Sequence, residues 1–389
     1  MISLASETIS VEELALAADF LTSGRRLTKG EETSAFEVEF SEEVGSQYAV
    51  FVNSGSSANL LVASALKESG KLRNNVVVCP AISWVTTVTP FMHLGFDVIL
   101  CDADSSSLGV DVTQLEEIFR KSRPSLLVLV HVLGHPNDMK QILSLCEQYD
   151  VLLVEDSCEA LGTVTTEDRS LGTLGLAGTY SFYYGHHIST IEGGMVVTDD
   201  FDFWQIMVSM RSHGWSRDLD PEKRTELTEL HEVDDFRNLY TFFWPGFNFR
   251  STDFQAFIGR LQLKRLGQIV QIRERNFERY VENLDGFFHL DTTQKRLSSF
   301  AFGTAVANRL ELSEQLLKRG IESRPLVCGN IGRHPFWQKK HQIPELPVAD
   351  FIHDFGIYLP NHAELSTEQV DEVCDAMRQF ARPQYLQIR

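Results

Sequence analysis

Val151-Leu152-Leu153-Val154-Glu155-Asp156 decides the fold. Four consecutive apolar residues leave no polar face, so a strand here must be covered on both sides. Similar runs precede it: Tyr48 to Asn53, Val76 to Cys79, Val98 to Cys101 and Leu126 to Val132 are all strand-like. The segments between them are long enough for crossover helices, and Ala58 to Glu68 has helical spacing. Continuous apolar strands alternating with helices predict an α/β class, a mainly parallel sheet with helices on both faces.

Further along, 251–284 reads as one long linking helix that begins near Thr252-Asp253. The remainder mixes a short strand (Phe300 to Val306) with helices (Leu310 to Lys318, Glu368 to Phe380). The expected division is a large α/β domain over 1–250, the linking helix over 251–284 and a smaller α+β domain over 285–389. The N-terminal segment is a candidate to pack on that small domain.

The chain has 389 residues, 43% hydrophobic and 23% charged, as in ordinary globular proteins. No apolar run approaches the ~18 to 20 residues of a membrane span. Met1 to Ile9 lacks a basic region followed by an apolar one, so a cytoplasmic protein is expected. The net charge of −19 argues against nucleic acid as partner. It leaves room for a phosphorylated small molecule held by amides and a few cations. No two of the six cysteines form a CxxC pair, so free thiols are expected and no metal site.

Asp156 ends its strand where α/β sheets place their ligands. A carboxylate there can keep a pyridinium nitrogen protonated, and it can equally cap the next helix or bind a metal. Ser54-Gly55-Ser56-Ser57 follows a strand and opens a helix. It reads as a phosphate cradle without the Walker lysine, or as an ordinary serine N-cap.

Ser181-Phe182-Tyr183-Tyr184-Gly185-His186-His187, followed by Glu192-Gly193-Gly194-Met195, resembles the active-site signature of the DegT/DnrJ/EryC1/StrS sugar-aminotransferase family. In that pattern a lysine lies five residues after the serine and six before Glu-Gly-Gly. Both counts land on His186, and no lysine occurs between Lys140 and Lys223. The resemblance runs from about Leu27 to Arg324. It implies a type I aminotransferase fold and pyridoxal 5'-phosphate or pyridoxamine 5'-phosphate as cofactor. On that resemblance Ser54, Gly55, Ser56 and Ser181 hold the phosphate and Trp84 stacks on the ring. Asp156 faces the ring nitrogen, with Glu159 three residues on. Asn248, in Pro245-Gly246-Phe247-Asn248-Phe249-Arg250, reaches the neighbouring subunit's phosphate, which implies a homodimer with shared sites.

Within the family, the context resembles enzymes that remove the C3 hydroxyl of a nucleotide-linked 4-keto-6-deoxysugar, with GDP assigned by resemblance alone. His187, His213, Arg250 and Arg324 are the substrate candidates. His187 also reads as a packing residue, Trp84 as a core aromatic and His213 as a helix cap. Histidine cannot attach the cofactor covalently but serves as acid and base near neutral pH. With His186 as the catalytic residue, the resemblance implies a 3-dehydratase using glutamate as amino donor. An iron–sulfur dehydrase of CDP-sugars would need cysteines after the histidine motif, and none lies between Cys158 and Cys328. A non-catalytic regulator that lost its lysine would be expected to lose Asp156, Ser181, Trp84 and Glu192-Gly193-Gly194 as well, and all remain.

Overall fold

The computed structural model describes residues 1–291 and 293–386. Seven strands form the main sheet: β1 (Tyr48–Val52), β2 (Val76–Pro80), β3 (Asp97–Cys101), β4 (Leu126–Val130), β5 (Leu152–Asp156), β6 (Ala177–Ser181) and β7 (Gly194–Thr198). Their order is β1-β7-β6-β5-β4-β2-β3. The pairs from β6 to β3 are parallel, and β7 runs antiparallel between β1 and β6. The quoted run forms β5, buried along almost its whole length because helices cover both faces of the sheet. The run expected to reach Val132 stops at Val130, where a turn with Leu133 at φ 52° leads the chain out of the sheet.

Three further strands, β8 (Phe302–Ala305), β9 (Arg324–Pro325) and β10 (Gly356–Leu359), make a small antiparallel sheet in the order β8-β10-β9. Helices Arg309–Lys318 and Thr367–Phe380 pack on it around Phe302, Leu316, Ile357 and Val373. Ile2 lies in the same cluster and bridges to Ile321, so the N-terminal segment is tied to the small sheet.

The expected single helix over 251–284 is two helices, Asp253–Leu263 and Leu266–Asn283. Thr252 starts the first with a capping box, closed by Gln255. The break falls where Gln262 and Arg265 turn to the N-terminal segment, both reaching the Thr8 carbonyl and Glu13. Those contacts outweigh the helical propensity of Leu-Lys-Arg-Leu. Among the described residues, no helix is long and apolar enough to cross a membrane.

Candidate active site

A cavity of about 450 Å³ opens at the C-terminal edge of the parallel strands. Val130, Asp156 and Ser181, the last residues of β4, β5 and β6, line it together with the loop after β1. Strand alternation separates the two acids that close β5. Glu155 turns away, fully buried, and accepts from the amides of Gly172, Leu174 and Gly175 and pairs with His131. Asp156 faces the cavity. Its Oδ2 accepts from Asn59 Nδ2 at 2.8 Å and Thr87 Oγ1 at 2.7 Å, and its Oδ1 from the Cys158 amide at 3.2 Å. It has no cationic partner among the described residues.

Ser54 is the N-cap of helix Gly55–Glu68, accepting from the Ser57 amide at 3.0 Å. The first-turn amides of that helix, at Gly55 and Ser56, have no intrahelical partner and suit an anion. Ser56 donates to Thr86 at 3.1 Å. Gly55 is required by close approach, because a Cβ there would stand 2.7 Å from Ser181 Cβ and 2.9 Å from Cys158 Sγ. Gly194 likewise leaves room for the Ser54 backbone, 2.4 Å from the position of an added Cβ. The N-cap reading of this loop is the arrangement observed, and it leaves the Gly55 and Ser56 amides without an intrahelical partner.

Trp84 is 57% exposed at the cavity wall, unlike a core aromatic. Glu159 also lines the cavity and accepts from the Leu133 amide at 2.8 Å. Burial, with the nearby Asp156 charge, pushes its carboxyl up to about 7.

His186 lines the cavity after β6, its ring edge-on to Phe300 at 5.3 Å. Burial, then the Arg273 guanidinium, lowers its pKa to about 4, so the ring is neutral near pH 7. Its Nδ1 is enclosed beside the Tyr183 backbone, which leaves Nε2 as the nitrogen open to the cavity. Among the described residues no lysine lines the cavity.

The remaining candidates separate. His187 is fully buried behind the loop, with Nε2 3.0 Å from the Ser298 carbonyl, and does not line the cavity. Asn248, Arg250 and His213 form a separate cluster: Arg250 donates to Asn248 Oδ1 at 3.0 Å and lies 3.4 Å from His213 Nε2. Of the three, Arg250 lines a second cavity of about 450 Å³, and none of them lines the first. Arg324 is exposed on β9, paired in register with cavity-lining Tyr358.

Sequence reasoning missed Asn59, Thr87, Phe300 and Tyr358, and also Leu4 and Ala5, which wall the cavity from the N-terminus. Asn59 carried a signal, as a polar residue on the buried face of an apolar helix.

A buried carboxylate without a cation, an open indole face and a serine-lined helix start together suit an aromatic cation carrying a phosphate. The chain belongs to the DegT/DnrJ/EryC1/StrS aminotransferase family, whose pattern matches residues 7–378. It is similar to GDP-4-keto-6-deoxy-D-mannose 3-dehydratase of Yersinia pseudotuberculosis, 34% identical over 388 residues, covering 96% of this chain and 98% of that protein. The enzyme of the same name from Escherichia coli O55:H7 is 33% identical over 367 residues, covering 91% and 94%. A solved structure of the E. coli enzyme with bound hydrated PLP superimposes with a TM-score of 0.88 at 30% identity, covering 97% of this chain and 99% of that one. A structure of GDP-4-keto-6-deoxymannose-3-dehydratase with bound GDP-perosamine gives 0.89 at 31%, covering 97% and 100%.

Proposed function

We propose that this chain is a cytoplasmic 3-dehydratase that removes the C3 hydroxyl of GDP-4-keto-6-deoxy-D-mannose, on a route to colitose. It would use pyridoxal 5'-phosphate or pyridoxamine 5'-phosphate with glutamate as amino donor, and act as a homodimer with shared sites. The carrying observation is His186 in the cavity wall, with no lysine beside it.

The residues fit the cofactor. Ser54, Ser56, Ser181 and the amides of the first helical turn would hold its phosphate, and Trp84 would cover one ring face. Asp156, fixed by Asn59, Thr87 and the Cys158 amide, would keep a proton on the ring nitrogen. When bound, the cofactor supplies an amine for the sugar's C4 ketone and an electron-accepting ring. His186 arrives neutral and accepts a proton at Nε2. With a midpoint of about 4, its conjugate acid then gives the proton up readily to the departing C3 hydroxyl. Glutamate leaves as 2-oxoglutarate, its two electrons replacing C–OH by C–H, and its nitrogen leaves as ammonia.

The test incubates protein, cofactor and glutamate with GDP- or CDP-linked 4-keto-6-deoxysugars and identifies products by mass spectrometry. A GDP-sugar one oxygen lighter, with ammonia in equal amount, is expected. Accumulation of a 4-amino sugar, or reaction of the CDP-sugar alone, would sink the assignment.

A further inference from the structure

Among the described residues, two arginines are fully buried: Arg211 and Arg273. Arg211 is paired with Glu37, as a buried charge ordinarily must be. Arg273, on helix Leu266–Asn283, has no carboxylate partner among the described residues. Its Nη1 donates to the carbonyls of Phe300 at 3.0 Å, Ser299 at 3.4 Å and Asn361, and its Nη2 to the His186 carbonyl at 3.4 Å. Nε has no hydrogen-bond partner among the described residues. Asn361 returns the contact, donating to the Arg273 carbonyl at 3.1 Å and the Ser299 carbonyl at 3.0 Å. An unpaired buried cation is costly to keep, and stability alone gives no reason for it. What it touches gives one: the base-bearing loop, and the segment carrying Phe300, on which the His186 ring rests.

We propose that Arg273 is a positioning residue, a guanidinium clamp that fixes the His186 carbonyl to the Ser299–Phe300 and Asn361 backbone and thereby sets the ring's orientation and charge state. This rests on His186 being the proton carrier. Fork geometry matters, because one planar group reaches four carbonyls on three segments. The uncompensated charge matters too, because it disfavours a second cation on the imidazole. Other titratable groups lining the same cavity as His186 are Asp156 at the end of β5, Cys158 and Glu159 just after it, Glu192 before β7 and Tyr358 on β10. Its own loop adds Tyr183, Tyr184 and His187. Among them Arg273 is the fixed positive charge.

The experiment compares wild type, Arg273→Gln and Arg273→Lys. One readout is the His186 ring titration by NMR in the cofactor-free protein, assigned by loss of its signal in His186→Asn. The other is the pH profile of kcat/KM. In Arg273→Gln the ring midpoint should rise by about one pH unit, carry the acid limb of the profile with it, and kcat should fall. In Arg273→Lys the charge stays and the fork goes, so kcat should fall while the midpoint stays low. A folded Arg273→Gln with unmoved midpoint and limb overturns the proposal. If the glutamine variant does not fold, Arg273→Lys decides: kcat equal to wild type overturns the clamp, and reduced kcat with an unshifted ring supports it. Activity retained in His186→Asn would instead defeat the assignment of the base, whatever Arg273 does to the ring.

Discussion

Gly55→Ala tests the phosphate cradle through a single methyl group. The added Cβ would lie 2.7 Å from Ser181 Cβ and 2.9 Å from Cys158 Sγ. Carbon atoms meet comfortably at about 3.5 Å, so the serine must retreat by roughly 0.8 Å. It cannot swing aside, because the obstructing atom is Cβ, anchored to a strand held between β5 and β7. Overpacking of this kind costs about 1 to 3 kcal/mol, partly offset by the better helix propensity of alanine. The larger effect falls on the ligand. A serine hydroxyl displaced that far loses a hydrogen bond to a charged group, worth about 1.5 to 3 kcal/mol, or roughly ten- to a hundredfold in affinity. Pyridoxamine phosphate titrated against intrinsic fluorescence would measure this in Gly55→Ala, Ser181→Ala and the double variant. Strong non-additivity is expected, the double variant binding about as weakly as Ser181→Ala alone. Wild-type affinity in Gly55→Ala, or losses that simply add, would refute it.

Borohydride with pyridoxal phosphate should leave no covalent adduct on wild-type residues 141 to 222, whereas His186→Lys should acquire one, with visible absorbance and suppressed dehydration; an adduct in the wild-type cavity would contradict the absence of a lysine there. Asn248→Ala should weaken cofactor binding yet leave the fold intact. Mixed with His186→Asn chains, it should recover activity if sites are shared, and native mass spectrometry showing heterodimers without recovery would mean each subunit builds its site alone. Acid should destabilise the cofactor-free protein. Burial lowers His135, His186 and His362 to about 4, from roughly 6.5 in an unfolded chain, so the native state binds fewer protons in that window. Stability is then lost as pH falls from about 6.5 toward 4, by about 1.4 kcal/mol per pH unit for each histidine. Glu159, raised to about 7, acts in the opposite sense between about 4.5 and 7, as does Asp102, raised by burial, whereas His187 and His353, also lowered by burial, act with the three histidines. A urea midpoint that stays flat from pH 6.5 to 5 would contradict this.

The central strands were legible because burial on both faces writes itself as unbroken Val and Leu, as in β2, β4 and β5. β6 was not, since Ala177-Gly178-Thr179-Tyr180-Ser181 is small and polar for a packing reason. A Cβ on Gly178 would sit 2.0 Å from the Gly172 carbonyl oxygen. The place of His186 in the cavity wall was legible by spacing against Ser181 and Glu192. Arg273 was not, because on a helix rich in Arg and Glu nothing in sequence separates a buried guanidinium from a solvated one. The broken helix at Lys264-Arg265 was hidden for a related reason: contacts to Thr8 and Glu13, some 250 positions away, decide it.

The antiparallel insertion of β7 between β1 and β6 has a consequence for biosynthesis. β1 is complete at Val52, but the strand it pairs with begins at Gly194. On the ribosome, β1 therefore waits as an unpaired apolar edge while more than a hundred further residues emerge, a long-range closure that slows folding and exposes the nascent chain to aggregation. Truncations ending before Thr198 should leave the Ser54 loop unformed.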